Sequence, residues 1–317
     1  MQRLEKVSQE QKSQFFYTQQ QNFLSKEDRE FYEKNGYIIV KGLVKPEEFQ
    51  AYTKRFLEYC EETRPKLPGM AVVRDISLAK KGIKIKNEYG VTKIQDWQDD
   101  DVLFGYCKNP QILNYVSDIV GPNIKTCHTM LINKPPNTGK TQRHPLHQDL
   151  AYFPFRPPER IVCCWTAMED VSRENGGLVL YPGTHTMNFV EHGYPDWKDG
   201  VNRGYWGILQ KYMPEQSKQK IYPEMKAGDC IFFHPLVLHG SGENKTQRFR
   251  KSISCHYAAC ECQFIDVKGT NNEPLAKDVL DFAKKSYNLD ITYVDIWKRK
   301  MKLIRGKEMN NENNNYV

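Results

Sequence analysis

His147, Gln148 and Asp149 form a His-x-carboxylate segment. In an extended chain, residues two apart point to the same side, so an imidazole and a carboxylate can converge on one metal ion. That spacing alone is common, and a hydrogen-bonded His–Asp pair on a loop satisfies it equally well. A third donor sharpens the reading. His239 lies in His234-Pro-Leu-Val-Leu-His239-Gly-Ser-Gly242, just after the apolar stretch 229–233. Two histidines and one carboxylate on one face of an ion leave three coordination positions open, the arrangement of non-haem Fe(II) oxygenases. Zinc hydrolases use a similar donor set but favour a helical spacing that this chain lacks. His239 is read as the ligand and His234 as a hydrogen-bonded support. Arg250 follows His239 by eleven positions. A guanidinium there can grip a carboxylate with two parallel hydrogen bonds, so a dicarboxylic keto acid could reach from metal to arginine. Arg248 has the same parity along an extended chain and is the competing candidate.

Such donors need a rigid scaffold, and short strands with frequent turns supply one. Strands are expected at 126–132, 161–168, 178–181, 229–233 and 251–257. The turns between them are marked by Pro135-Pro136, Asn175-Gly176-Gly177, Pro182-Gly183, Gly228-Asp229 and Gly240 to Gly242. This rhythm predicts a sandwich or barrel. Helices flank it. Ser25 with Asp28 caps the first, and Gly36 ends it before a strand at 37–40. Pro46 opens the second, in which Phe49, Tyr52, Phe56 and Tyr59 form one core-facing stripe. Helices are also expected at 99–120 and 275–287, an extended stretch at 70–76 and a loop at 77–90. Residues 1–23 read as a mobile tail and 306–317 as a disordered one, leaving a single domain over 24–305.

Of the 317 residues, 39% are hydrophobic and 27% charged, which describes a folded chain with a sizeable core. No apolar run approaches the roughly 20 residues of a membrane span, and none near the N-terminus resembles a secretion signal. Nine cysteines in a chain this long suggest reduced thiols in an intracellular compartment. The net charge of +7 is interspersed, with its densest cluster at Lys80, Lys81, Lys84 and Lys86. No nucleic-acid recognition motif accompanies it, so nucleic acid is not an expected partner. An acidic small ligand such as a thioester cofactor is served equally well.

Several segments together are similar to the phytanoyl-CoA dioxygenase family. They include Met130-Leu-Ile-Asn-Lys-Pro-Pro136, Arg143-His-Pro-Leu-His147-Gln-Asp149 and Tyr152-Phe-Pro-Phe-Arg-Pro157. Phe232-Phe-His-Pro235, His239-Gly-Ser-Gly242 and Ile265-Asp-Val-Lys-Gly-Thr270 extend the resemblance. It spans about 25–305 and is most specific over 124–270. It implies a double-stranded β-helix, or jelly roll, with flanking helices. It implies Fe(II) at His147, Asp149 and His239, and 2-oxoglutarate held by Arg250 at its distal carboxylate, with Ser241 adding a hydroxyl. Lys93, Met130 and Trp165 match positions that line the cosubstrate pocket. The implied reaction is O2-dependent 2-hydroxylation of a branched acyl-CoA in fatty acid α-oxidation, giving succinate and CO2, with ascorbate as reductant. The carboxylate of Asp149 implies hydroxylation, because halogenating relatives carry a small residue there.

The resemblance also implies a peroxisomal location and an import receptor as partner. The C-terminus, Asn314-Asn315-Tyr316-Val317, is not a Ser-Lys-Leu address. Arg3 to Gln11 begins like the family's N-terminal signal, but Glu10 and Gln11 depart from its last two positions. A cytoplasmic location is therefore the alternative. The same oxygenase chemistry on another small molecule, and a non-enzymatic lipid-thioester carrier, are the alternative functions.

Overall fold

The computed structural model describes residues 15–136, 139–197, 205–309 and 315–317. Two antiparallel sheets make a jelly roll. The larger runs in the order Tyr37–Val40, Cys230–Phe233, Ile161–Ala167, Arg250–Ala259, Ile124–Lys134, Val91–Gln95 and Ala71–Arg74, and Lys302–Arg305 also pairs with Ile124–Lys134. The smaller joins His144–His147, His239–Ser241 and Leu178–Leu180. Strands from outside 124–270 thus complete the larger sheet.

The strand Ile161–Ala167 is buried at all seven positions, which is why its sequence is a continuous apolar run. Its alternate residues serve two different cores. Cys163, Trp165 and Ala167 pack with Ile231, Phe233, Leu178 and Leu180 between the two sheets. Val162 and Cys164 face outward, into a second core with Phe56 and Tyr59 of the helix Phe49–Cys60 and Val116 and Ile119 of the helix Pro110–Val120. Helices therefore seal the back of the larger sheet while its inner face stays free to build a site.

Local signals account for most helix ends, with two corrections. Ser25 and Asp28 form a capping box, and Gly36 closes the helix with φ 75°. The helix expected over 99–120 begins at Pro110, after a separate short helix Phe104–Cys107. The Asn109 side chain accepts from the amides of Gln111 and Ile112, and the proline ring disfavours helical backbone at Asn109. The loop expected over 77–90 contains the end of a short helix, Ile76–Lys80, because Asp75 caps the amides of Ser77 and Leu78. Lys84 and Lys86 are exposed and pair with Glu62, as Arg74 does, so part of the lysine cluster is a solvated ion network.

The described parts of both tails, 15–23 and 306–309 with 315–317, depart from expectation. From residue 15 the N-terminal segment is strapped onto the domain. Thr18 is buried, the Tyr17 ring packs edge-on against His185 and His234, and Asp118 accepts from the amides of Asn22, Phe23 and Leu24 at 2.6–3.0 Å. At the other end Val317 is buried and its amide donates to the Cys262 carbonyl at 2.9 Å. An apolar terminal side chain and a few satisfied amides suffice to hold a polar segment against the surface.

Asp118→Ala strands three amides that share one carboxylate oxygen. We expect a loss of roughly 2–4 kcal/mol in urea unfolding and fast hydrogen exchange at residues 22–24. Unchanged protection there would show that the strap is held by other contacts.

Candidate metal centre

Strand pairing places the two histidines. His147 ends the strand His144–His147, His239 opens the strand His239–Ser241, and the two residues are direct cross-strand partners. Their ring centroids lie 4.1 Å apart. Asp149 starts a single 3-10 turn just beyond the first strand, which swings its carboxylate back toward both rings. One oxygen, Oδ1, lies 3.3 Å from His147 Nε2 and 3.6 Å from His239 Nε2. Ligand bonds of about 2.1 Å set at right angles would place neighbouring donor atoms about 3 Å apart, so this donor set fits one small divalent ion.

The far nitrogens of both rings are committed to the backbone. His147 Nδ1 donates to the Pro145 carbonyl at 3.0 Å and His239 Nδ1 to the Val237 carbonyl at 2.9 Å. That tautomer leaves each Nε2 lone pair facing the shared point. Burial, with the neighbouring His147, pushes His239 down to about 4, so it is a neutral donor near pH 7. Burial alone would raise Asp149, but the surrounding imidazoles, His239 and His256 foremost, hold it well below the usual carboxylate range.

Gln148 points away from this centre, as strand alternation predicts. Its amide group bonds to the carbonyls of Asn188 and Leu236 and to the amide of Val190, while its own backbone N–H donates to His192 Nε2 at 2.9 Å. His192 thus fixes the peptide between the two ligands. Sequence reasoning missed it, because it lies 44 residues away without a periodic signal. His234 packs against Tyr17 and His185 and, as read from the sequence, is a structural histidine.

A second histidine was also missed. His256 Nε2 lies 2.9 Å from Asp149 Oδ2, so it engages the oxygen that does not face the other two rings. A signal for it existed. Counting in twos from Arg250 along its strand gives Ser252, Ser254 and His256, all on the inner face. Asp149, Cys163 and His256 form a second trio of closely spaced donors. Burial pushes the Cys163 thiol well above its ordinary range, which keeps it protonated and a poor ligand.

The donor set opens onto a cavity of about 100 Å³ that also receives Lys93, Met130, Trp165, Ser241 and Arg250. The structure therefore brings together the eight residues that the resemblance implies for the site. Arg250 is buried and lines this cavity, while Arg248 is exposed. Arg250 donates to Ser252 Oγ at 2.8 Å and to the Gly176 carbonyl at 3.0 Å, and it stands 5.7 Å from the Trp165 ring centre. Among the described residues its Nε has no hydrogen-bond partner. Desolvation pushes Lys93 down to about 8, against the pull of Asp96.

Residues 32–252 match the family model described as phytanoyl-CoA dioxygenase (PhyH). The chain is 49% identical over 301 residues to the rat protein named phytanoyl-CoA dioxygenase, peroxisomal, covering 94% of this chain and 87% of the relative. The human protein of that name is 48% identical over 301 residues, with the same coverage. A Caenorhabditis elegans probable phytanoyl-CoA dioxygenase is 46% identical over 307 residues, covering 93% of this chain and 97% of the relative. Among solved structures, EctD from S. alaskensis with bound Fe superposes with a TM-score of 0.58 at 16% identity, over 78% of this chain and 82% of that one. The epimerase SnoN, solved with Fe3+ and alpha ketoglutarate, gives 0.57 at 19% identity, over 75% and 85%. These two likenesses concern the fold.

Metal titration of variants tests the centre. His147→Ala and Asp149→Ala should abolish high-affinity Fe(II) binding while leaving the thermal melt cooperative. His256→Ala should weaken it by roughly 10–100-fold, since the carboxylate loses the donor that orients it. Equal affinity in all three variants would place the metal elsewhere.

Proposed function

The chain belongs to the phytanoyl-CoA dioxygenase family, and from that membership we propose that it hydroxylates C2 of a branched fatty acyl-CoA such as phytanoyl-CoA. The reaction is the Fe(II)- and 2-oxoglutarate-dependent step of fatty acid α-oxidation. It converts acyl-CoA, 2-oxoglutarate and O2 into 2-hydroxyacyl-CoA, succinate and CO2, with ascorbate as reductant for the iron. Bound iron and its cosubstrate supply the oxidising chemistry, and the protein supplies geometry, charge and dryness.

His147, Asp149 and His239 would hold the metal through two imidazole nitrogens and a carboxylate oxygen at the cavity wall. Arg250 takes the distal carboxylate of 2-oxoglutarate, and Ser241 adds a hydroxyl donor. Trp165 and Met130 wall the cavity with apolar surface and limit water at the reacting carbon. Lys93 offers a further cationic contact for the cosubstrate. The observation that carries this reading is one buried cavity with metal-type donors on one wall and a buried guanidinium on another. The thioester substrate rests on family membership, and the peroxisomal location and import receptor rest on the names of the relatives. Residues Arg3 to Gln11, read as a degenerate import signal, lie outside the described residues.

Succinate release from the anaerobically loaded enzyme, started with O2, tests the substrate class. Phytanoyl-CoA should drive it and free phytanic acid should not. Equal turnover of the free acid overturns the thioester reading, and no release with either overturns the reaction. A reporter carrying residues 1–20 should enter peroxisomes if that segment is the signal.

Cosubstrate titration tests Arg250. Truncation to alanine leaves a buried carboxylate without its partner, a loss of roughly 2–5 kcal/mol. The 2-oxoglutarate constant should therefore rise about thirtyfold or more, with little change for the acyl-CoA. Arg250→Lys should recover part of this, since an ammonium cannot form the paired hydrogen bonds, and Arg248→Ala should leave the constant unchanged.

A further inference from the structure

Lys134 is the direct cross-strand partner of Arg250 in the larger sheet. Two like charges facing each other across a strand pair repel, and both of these are buried, at 3% and 2% exposure. Among the described residues neither is bonded to a carboxylate: Lys134 donates to Ser241 and Gly242, and Arg250 to Ser252 and Gly176. Desolvation, and then the facing Arg250, push Lys134 well below its ordinary range, and desolvation pushes Arg250 down to about 10, while Glu243 and Glu169 oppose this only at longer range. Burying a charge without a counter-ion is costly, and burying two side by side is more so. An arrangement of this kind is stable in use when an anion completes it.

The hydrogen bonds of Lys134 show how it would act. Its ammonium donates to Ser241 Oγ at 2.8 Å and to the Gly242 carbonyl, which reaches from the larger sheet to the end of the central strand of the smaller one. A hydroxyl that accepts from an ammonium keeps its own hydrogen for donation. Lys134 therefore sets Ser241 as a donor at the cavity wall beside the guanidinium. The packing is close around this point. A Cβ on Gly176 would lie 2.9 Å from Lys134 Cδ and 2.9 Å from the Gly242 carbonyl, and Gly176 has φ +80°. Only glycine lets that loop bring its carbonyl to Arg250 while leaving room for the lysine.

We propose that Lys134 is a positioning residue for the distal carboxylate of the dicarboxylic keto acid, pairing with Arg250 to give that end of the cavity a double positive charge and holding Ser241 as a hydroxyl donor. The proposal rests on the functional reading above. It adds an electrostatic component that the resemblance did not assign, carried by the lysine of Asn133-Lys134-Pro135. A second cation favours a dianionic cosubstrate over a keto acid that carries one carboxylate, because the extra charge acts only on the distal group.

Equilibrium binding to the anaerobic Fe(II)-loaded protein, followed by calorimetry, separates this role from a purely structural one. The probes are 2-oxoglutarate and 2-oxovalerate, which keeps the keto acid head and lacks the distal carboxylate. Lys134→Met should weaken 2-oxoglutarate binding on the order of tenfold or more and leave 2-oxovalerate binding within about twofold. Ser241→Ala should have a smaller effect in the same direction, and the double variant should be no weaker than Lys134→Met. If Lys134→Met does not fold, Lys134→Gln keeps an N–H donor, removes the charge and should show the same selective loss. Equal weakening of both keto acids in a folded variant, or no weakening of either, overturns the proposal. Failure of the wild-type protein to bind 2-oxoglutarate at all would instead overturn the functional reading.

Discussion

The register that sets His239 opposite His147 is the constraint on which the site depends. It brings residues 92 positions apart into adjacent strands, and no local preference could do so. Glycine at 240 permits it, since a Cβ there would stand 2.8 Å from the His144 carbonyl. Once the strands meet, each ring is held by a carbonyl two residues behind it, and the turn after His147 delivers Asp149 to the same point. Backbone carbonyls and strand pairing thus fix the donor rings, which limits the reorganisation that metal binding requires.

Around that centre the protein places charges by sign. Asp149 is the anionic element, shared among three imidazoles. Lys93, Lys134 and Arg250 are cations at the same cavity. Such a cavity favours a ligand with a donor-rich head for the metal and an anionic tail for the cations. This polarity is maintained by desolvation. Helices close the outer face of the larger sheet, and Trp165 and Met130 stand on the inner face, so the charges interact in a medium where water screens them little.

The elements that carry these groups were largely legible because their signals are local. Continuous apolar stretches marked strands buried on both faces, and Ser25, Gly36 and Pro46 marked helix ends. Errors arose where a single polar residue changed the outcome. Asp75 turned part of a supposed loop into a short helix, and Asn109 delayed a helix by eleven residues, from 99 to 110. Polar tails were misread because composition does not reveal that Asp118 and Cys262 wait with open acceptors.

At the site, residue type and spacing along the chain were enough to nominate His147, Asp149, His239 and Arg250, since a facial donor set and a carboxylate clamp each demand particular chemistry. Strand parity could also have reached His256, through Ser252 and Ser254. The tertiary structure alone decided that Arg250 rather than Arg248 is buried. It alone placed His192 behind the ligand peptide and Lys134 beside the arginine. Those assignments depend on which strands pair and which face turns inward. Pairing partners are chosen by packing over the whole sheet, a long-range property that the spacing of residues within one segment does not encode.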